Sequence, residues 1–221
     1  ALLCEVQKVE SGTDETRCSV NGQVSDYHSN LTNAQTPGMK PKDRIYLDNN
    51  ATTQVDDAVR KAMMPYLSSD AGNPSSIHET GKIAREALEN ARRQVARLIN
   101  SQPRRIVFTG GGSEADNLAI KGAAFAMRNK GNHIVTTTME HPAVLGACEF
   151  LERYGYRVTY LDVDGDGWLD PEKLRNAITA DTILVSIMMA NNEVGTILPI
   201  QELSSICREK GILFHTDAVQ A

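Results

Sequence analysis

Between residues 105 and 216, strand-like runs alternate with helix-like segments, and this constrains the fold more than any other feature of the chain. The strand-like runs are RIVFT (105–109), HIVTTT (133–138), 156–161, TILVSI (182–187) and ILFHT (212–216). Helical signals fill the gaps. They cover 113–129 closed by Gly131, 142–154 with Pro142 in the first turn, and 200–210 ended by Gly211. Asp170-Pro171-Glu172 supplies an N-cap, a first-turn proline and an acid at the positive helix end, so a helix follows there as well. Upstream, the pattern predicts helices over 55–67 and 77–99. The longer one gathers Ile77, Ala84, Leu88, Ala91, Val95 and Leu98 on one face. Strands alternating with helices imply an α/β fold, with a mostly parallel sheet covered by helices on both faces. No dinucleotide fingerprint is present, which sets a nucleotide-binding oxidoreductase aside.

Residues 1–44 differ. They are rich in Ser, Thr, Asn, Gln and Gly with little periodicity, and a linker or disordered extension is expected there. The partial large domain is expected over 45–221. The start at Ala1 and the end just after a strand-like run fit an incomplete catalytic unit. No apolar run approaches the roughly 18–20 residues that span a bilayer. A net charge of −5 argues against a nucleic-acid coat. Cys4, Cys18, Cys148 and Cys207 show no CxxC spacing, so neither a disulfide scaffold nor a zinc site is expected, and a reducing, cytoplasmic setting fits.

In parallel sheets, ligands gather beyond the carboxyl ends of the strands. After RIVFT come Gly110-Gly111-Gly112-Ser113 and a helix start. This is either a phosphate cradle or a glycine-rich turn with Ser113 as N-cap. After HIVTTT comes His141, either a ring-stacking proton carrier or a structural residue. After TILVSI come Asn191 and Asn192, either amides for a polar ligand or a turn. After ILFHT comes Asp217, followed by Gln220. A carboxylate there is costly unless it meets a cation such as a pyridinium nitrogen, and an N-cap or salt bridge is the other reading. Asp162, Asp164, Asp166 and Gly167 mimic the opening of an EF-hand loop, but Lys173 stands where the bidentate glutamate belongs. That segment is expected to be an acidic turn, and no metal is expected.

Together these segments carry a resemblance. YLDNNATT (46–53), GNPSSIH (72–78), IVFTGGGSEADNLAIKG (106–122), MEHPAVL (139–145), ANNEVGTILPI (190–200) and FHTDAVQA (214–221) occur in one order at compatible spacings. This resembles the cysteine desulfurases, pyridoxal-phosphate enzymes of the class V aminotransferase family that supply sulfur for iron–sulfur clusters. The resemblance is to the nitrogen-fixation type and covers about four-fifths of the chain.

The resemblance implies a large domain of the fold-type I pyridoxal-phosphate enzymes, with pyridoxal 5′-phosphate as cofactor. Gly112 and Ser113 match the phosphate grip, where the family usually has Ala-Thr. His141 matches the residue stacked on the ring, which also helps move protons. Asn192 matches the amide that meets the ring oxygen or substrate, Gln220 matches the residue that bonds the ring oxygen, and Asp217 matches the carboxylate on the ring nitrogen. L-cysteine is the implied substrate, with a scaffold protein as sulfur acceptor and a homodimer as the assembly. The family's cofactor-anchoring lysine and catalytic cysteine fall beyond the matched motifs, and none of Lys121, Lys130, Cys148 or Cys207 lies in a matching position. The chain alone is therefore expected to be inactive. Two other functions stay open: a non-catalytic remnant acting as a binding partner, and a related aminotransferase or selenocysteine lyase.

Overall fold

A computed structural model describes residues 45–68 and 71–221; the extension expected over 1–44 lies outside the described residues. Residues 45–52 belong to one compact unit and residues 53–221 to another. In the first, the N–H groups of Ala51 and Thr52 donate to the Asp48 carbonyl at 3.2 and 3.4 Å, closing a turn.

In the second unit, α1 (Asp57–Met63) starts at Asp56, whose carboxylate accepts the Ala58 N–H at 2.7 Å. It runs into a 3-10 turn, Met64–Leu67. Helix α2 (Glu79–Leu98) is capped by His78. Because His78 takes the cap, Ile77 lies outside the helix and is 89% exposed rather than part of the apolar stripe. The strand expected over 105–109 does not form. Pro103–Arg105 makes a 3-10 turn and Ile106 is extended, but no described strand pairs with this segment. An extended segment without a ladder partner leaves its backbone groups to other donors. Arg92 accordingly donates to the Ile106 carbonyl and lies 5.0 Å from the centre of the Phe108 ring.

The remaining elements alternate: α3 (Gly112–Ala126), β1 (His133–Thr137), α4 (Pro142–Glu152), β2 (Arg157–Leu161), α5 (Pro171–Ala177), β3 (Thr182–Ser186), α6 (Ile200–Glu209) and β4 (Leu213–His215). The strands form one parallel sheet in the order β2-β1-β3-β4. Successive side chains of a strand point to opposite faces, and the two cores follow that rule. Ile134 and Leu184 pack with Ile120 and Ala124 of α3 and with Val144 and Leu151 of α4. Their neighbours Val135 and Val185 pack with Leu174 of α5 and with Leu203 and Ile206 of α6. Each such buried leucine or isoleucine contributes about 1.5–3 kcal/mol. Helices therefore cover both faces. His133 opens β1 fully buried, with its ring nitrogens 2.7 Å from the Thr182 hydroxyl and 2.9 Å from that of Thr159, so it braces the strands on either side. The strand order reverses between β1 and β3, and this is where an open parallel sheet leaves a crevice at its carboxyl ends.

Candidate functional site

Three loops and one helix start meet the carboxyl edge of the sheet. The loop after β1 is tied to the loop after β3 by two side chains. Glu140 Oε1 accepts the Thr137 hydroxyl at 2.6 Å and the Met188 N–H at 3.0 Å. Asn191 Nδ2 donates to the Met139 carbonyl at 3.1 Å, while its Oδ1 accepts the N–H groups of Glu193 and Val194. The loop after β4 joins through the Met189 N–H, which donates to the Asp217 carbonyl at 2.9 Å and carries the β3–β4 ladder past the end of β4. The start of α3 approaches the same loop. A Cβ added at Gly112 would sit 2.9 Å from Val219 Cγ2.

Gly112 and Ser113 form the first turn of α3. Gly111 takes the N-cap position and no side chain caps the helix, so Ser113 is not the cap that the simple-turn reading requires. The first helical bond is from the Ala115 N–H to the Gly111 carbonyl, at 3.1 Å. The N–H groups of Gly112, Ser113 and Glu114 precede it at the positive end of the helix, where an anion is favoured.

His141 caps α4, its Nδ1 accepting the Ala143 N–H at 3.1 Å. In the neutral ring the proton then sits on Nε2. Asn192 is half-buried, and its Nδ2 lies 3.4 Å from Glu193 Oε1; the loop itself is held by Asn191. Asp217 is 8% exposed, and its Oδ1 accepts the Val219 N–H at 3.0 Å, closing a short turn rather than capping a helix. Gln220 is exposed, in the same turn segment.

Three further residues were not singled out from the sequence: Asp116, Glu140 and His215. Asp116, on α3, is buried, and its carboxyl is raised to about 6, first by burial and then by the charge of Asp217, with His141 opposing. Glu140 is raised to about 7, first by burial; its two hydrogen bonds oppose the rise, and the charges of Asp217 and Asp116 add to it. Burial lowers His215, against the pull of Asp217. A signal for His215 was present, since it stands two residues before Asp217 and shares its strand face. Asp116 gave none, being one acid on a mixed helix. The edge thus offers an anion site at the start of α3 and a set of buried acids, Asp217 beyond β4, Asp116 on α3 and Glu140 after β1. This donor set fits a ligand with a phosphate at one end and a protonated ring nitrogen at the other.

Elsewhere, Asp164 accepts the N–H groups of Asp166 and Trp168 at 3.0 and 2.7 Å, closing the acidic turn. Among the described residues, no group of three or more His, Cys, Asp or Glu side chains is arranged to hold a metal. Cys148 and Cys207 are buried, and burial pushes their thiols up to about 12 and about 11.

The aminotransferase class-V family model matches residues 45–221. Cysteine desulfurase IscS of Dictyoglomus turgidum is 54% identical over 179 residues, which are 81% of this chain and 45% of that protein. The IscS of Methanosarcina thermophila is 54% identical over 177 residues, 80% of this chain and 44% of that protein. Among solved structures, a NifS-like protein superposes with a TM-score of 0.78 at 41% identity, over 80% of this chain and 50% of its own. A structure described as SspA in complex with cysteine gives 0.77 at 39% identity, over 80% and 51%. The chain spans less than half the length of these two curated relatives.

Proposed function

The chain belongs to the aminotransferase class-V family, and we propose on that basis that it carries the amino-terminal, cofactor-cradling part of a cysteine desulfurase. The observation that carries this reading is the pairing of an uncapped, glycine-led helix start with a buried carboxylate, Asp217, on the neighbouring loop. The cofactor that fits is pyridoxal 5′-phosphate. When bound, it supplies an electron-accepting ring through which a cysteine substrate loses its α-proton.

The backbone N–H groups of Gly112 and Ser113 hold the phosphate. Asp217 keeps the ring nitrogen protonated. His141, whose Nδ1 accepts the Ala143 N–H, carries a proton at Nε2, while Asn192 bonds the ring oxygen or substrate and Gln220 bonds the ring oxygen. L-cysteine is the substrate, sulfur leaves to a cysteine thiolate and then to a scaffold protein for iron–sulfur assembly, and alanine is released. The working form is a cytoplasmic homodimer. No helix among the described residues is long and apolar enough to cross a membrane. Cys148 and Cys207 are poor sulfur nucleophiles, because burial keeps them as thiols. No turnover is expected from this chain alone, because none of Lys121, Lys130, Cys148 or Cys207 lies in a motif that matches the family's cofactor lysine or catalytic cysteine.

Equilibrium dialysis with pyridoxamine 5′-phosphate, which does not condense with lysines, tests the cradle. Saturable binding is expected, weakened about tenfold or more by Asp217→Ala, equivalent to about 1.4 kcal/mol. Equal binding to both proteins would remove the assignment. Sustained alanine release from L-cysteine by the chain alone would overturn its inactivity.

A further inference from the structure

A polar row crosses the sheet beneath α3. Register sets Thr136 beside Ser186 and Ser186 beside His215. The Ser186 hydroxyl lies 2.8 Å from His215 Nδ1, and the other ring nitrogen, Nε2, faces Asp116 Oδ1 at 3.6 Å. The Ile187 and Met189 N–H groups donate to the carbonyls of His215 and Asp217, so both residues follow the strand pattern and project to one face. Asp116 and Asp217 are both buried.

A neutral imidazole carries one proton for its two nitrogens. Between a hydroxyl in hydrogen-bond range and a carboxyl just beyond it, two arrangements suit every group. With Asp116 ionised, His215 points Nε2–H at the carboxylate and accepts the Ser186 hydroxyl at Nδ1. With Asp116 protonated, the acid faces a bare Nε2, and Nδ1–H donates to Ser186. The mixed arrangements set two protons or two lone pairs face to face.

We propose that Asp116 is a positioning residue whose proton fixes the tautomer of His215 and sets whether one buried carboxylate or two face a cation at this end of the site. The proposal rests on the reading of Asp217 as the carboxylate that meets the ring nitrogen. The groups around Asp116 are His215 and Asp217 from β4 and its continuation, His141 at the start of α4, Glu140 on the loop before it, and the uncharged Ser186 of β3. Burial and Asp217 bring the titration of Asp116 to about 6. A protonated Asp116 leaves Asp217 as the one acid offering charge to a ring cation; an ionised Asp116 adds a second carboxylate and strengthens the attraction.

The test is an NMR titration of the isotope-labelled chain without cofactor. The Asp116 carboxyl carbon is expected to titrate near pH 6, with the His215 nitrogens exchanging roles through the same midpoint. Asp217→Asn is expected to lower both midpoints together. A His215 tautomer that stays fixed while Asp116 titrates overturns the proposal, as does an Asp116 midpoint in the ordinary carboxylate range that ignores Asp217→Asn. The second arm compares pyridoxamine 5′-phosphate affinity between wild type and Asp116→Asn at pH 5 and pH 7.5. The wild type is expected to gain over the variant at the higher pH, and a constant ratio counts against the proposal. Absence of any binding removes the desulfurase reading, while the NMR titration still decides the coupling.

Discussion

Glu140 Oε1 accepts the Met188 backbone N–H at 3.0 Å, so a buried acid in the loop after β1 braces the end of β3. Its carboxyl is raised from 4.5 to about 7, chiefly by burial. The folded chain thus keeps a proton that the unfolded chain has released, and stability falls as pH rises from 4.5 to 7. The full shift corresponds to about 3 kcal/mol as an upper bound. Glu140→Gln keeps an acceptor for Thr137 and Met188 and carries no charge. Urea denaturation at pH 5 and pH 8 should show the balance moving toward the variant at the higher pH. A gap independent of pH would mean that Glu140 is ionised throughout.

Ser113→Asp separates helix stability from ligand binding. An acid in the first turn of α3 favours the helix by about 0.5 kcal/mol through the dipole. The same charge repels a phosphate at the neighbouring N–H groups. Thermal unfolding should rise slightly while pyridoxamine 5′-phosphate binding weakens at least severalfold. If binding is unchanged, the phosphate does not sit at this helix.

Gly131→Ala should destabilise the fold. A Cβ at 131 would run into the Asp181 carbonyl, which accepts the His133 N–H at 3.0 Å where β1 meets β3. Overpacking of this kind costs about 1–3 kcal/mol. A wild-type denaturation midpoint would show that the approach of these segments is looser than the structure has it.

Cys148 and Cys207 should resist alkylation. Burial holds their thiols at about 12 and about 11, so little thiolate exists at neutral pH. Peptide mapping after iodoacetamide at pH 7.5 should find both unmodified in the folded chain and modified in urea. Rapid labelling of either would make it a candidate sulfur carrier after all.

Acid should also weaken the fold through His133 and His215, whose ring pKa values burial lowers. The unfolded chain binds protons at these rings first, so their contribution is lost as pH falls through 6.5. Replacing His133 with Gln should reduce this acid-side loss in denaturation series, and an unchanged slope would place the loss elsewhere.

The α/β architecture and all four strands were legible from residues 133–216, because the first three strand-like runs were each followed by helix signals and the fourth was preceded by one. The RIVFT run misled, since periodicity describes a segment and says nothing of whether a ladder partner lies beside it. His141 and Asp217 stood out by following strands directly. Asp116 did not, because its meaning comes from the packing of α3 over β4, and that contact has no trace in the local pattern. Glu140 was overlooked beside His141: its role depends on reaching across to Met188, 48 residues away.

Strand β4 has three residues and sits at the margin of the sheet, yet it leads into Asp217 and holds His215. Local opening free energies follow buried contacts and ladder bonds, and both are fewest for such an element. Detaching β4 alone would draw the imidazole and the carboxylate away from Asp116 while leaving most of the two cores packed. The site's acidic end is therefore expected to exchange its amide hydrogens sooner than the central strands β1 and β3, and a ligand that bridges α3 and the loop after β4 would act as a clasp on that strand.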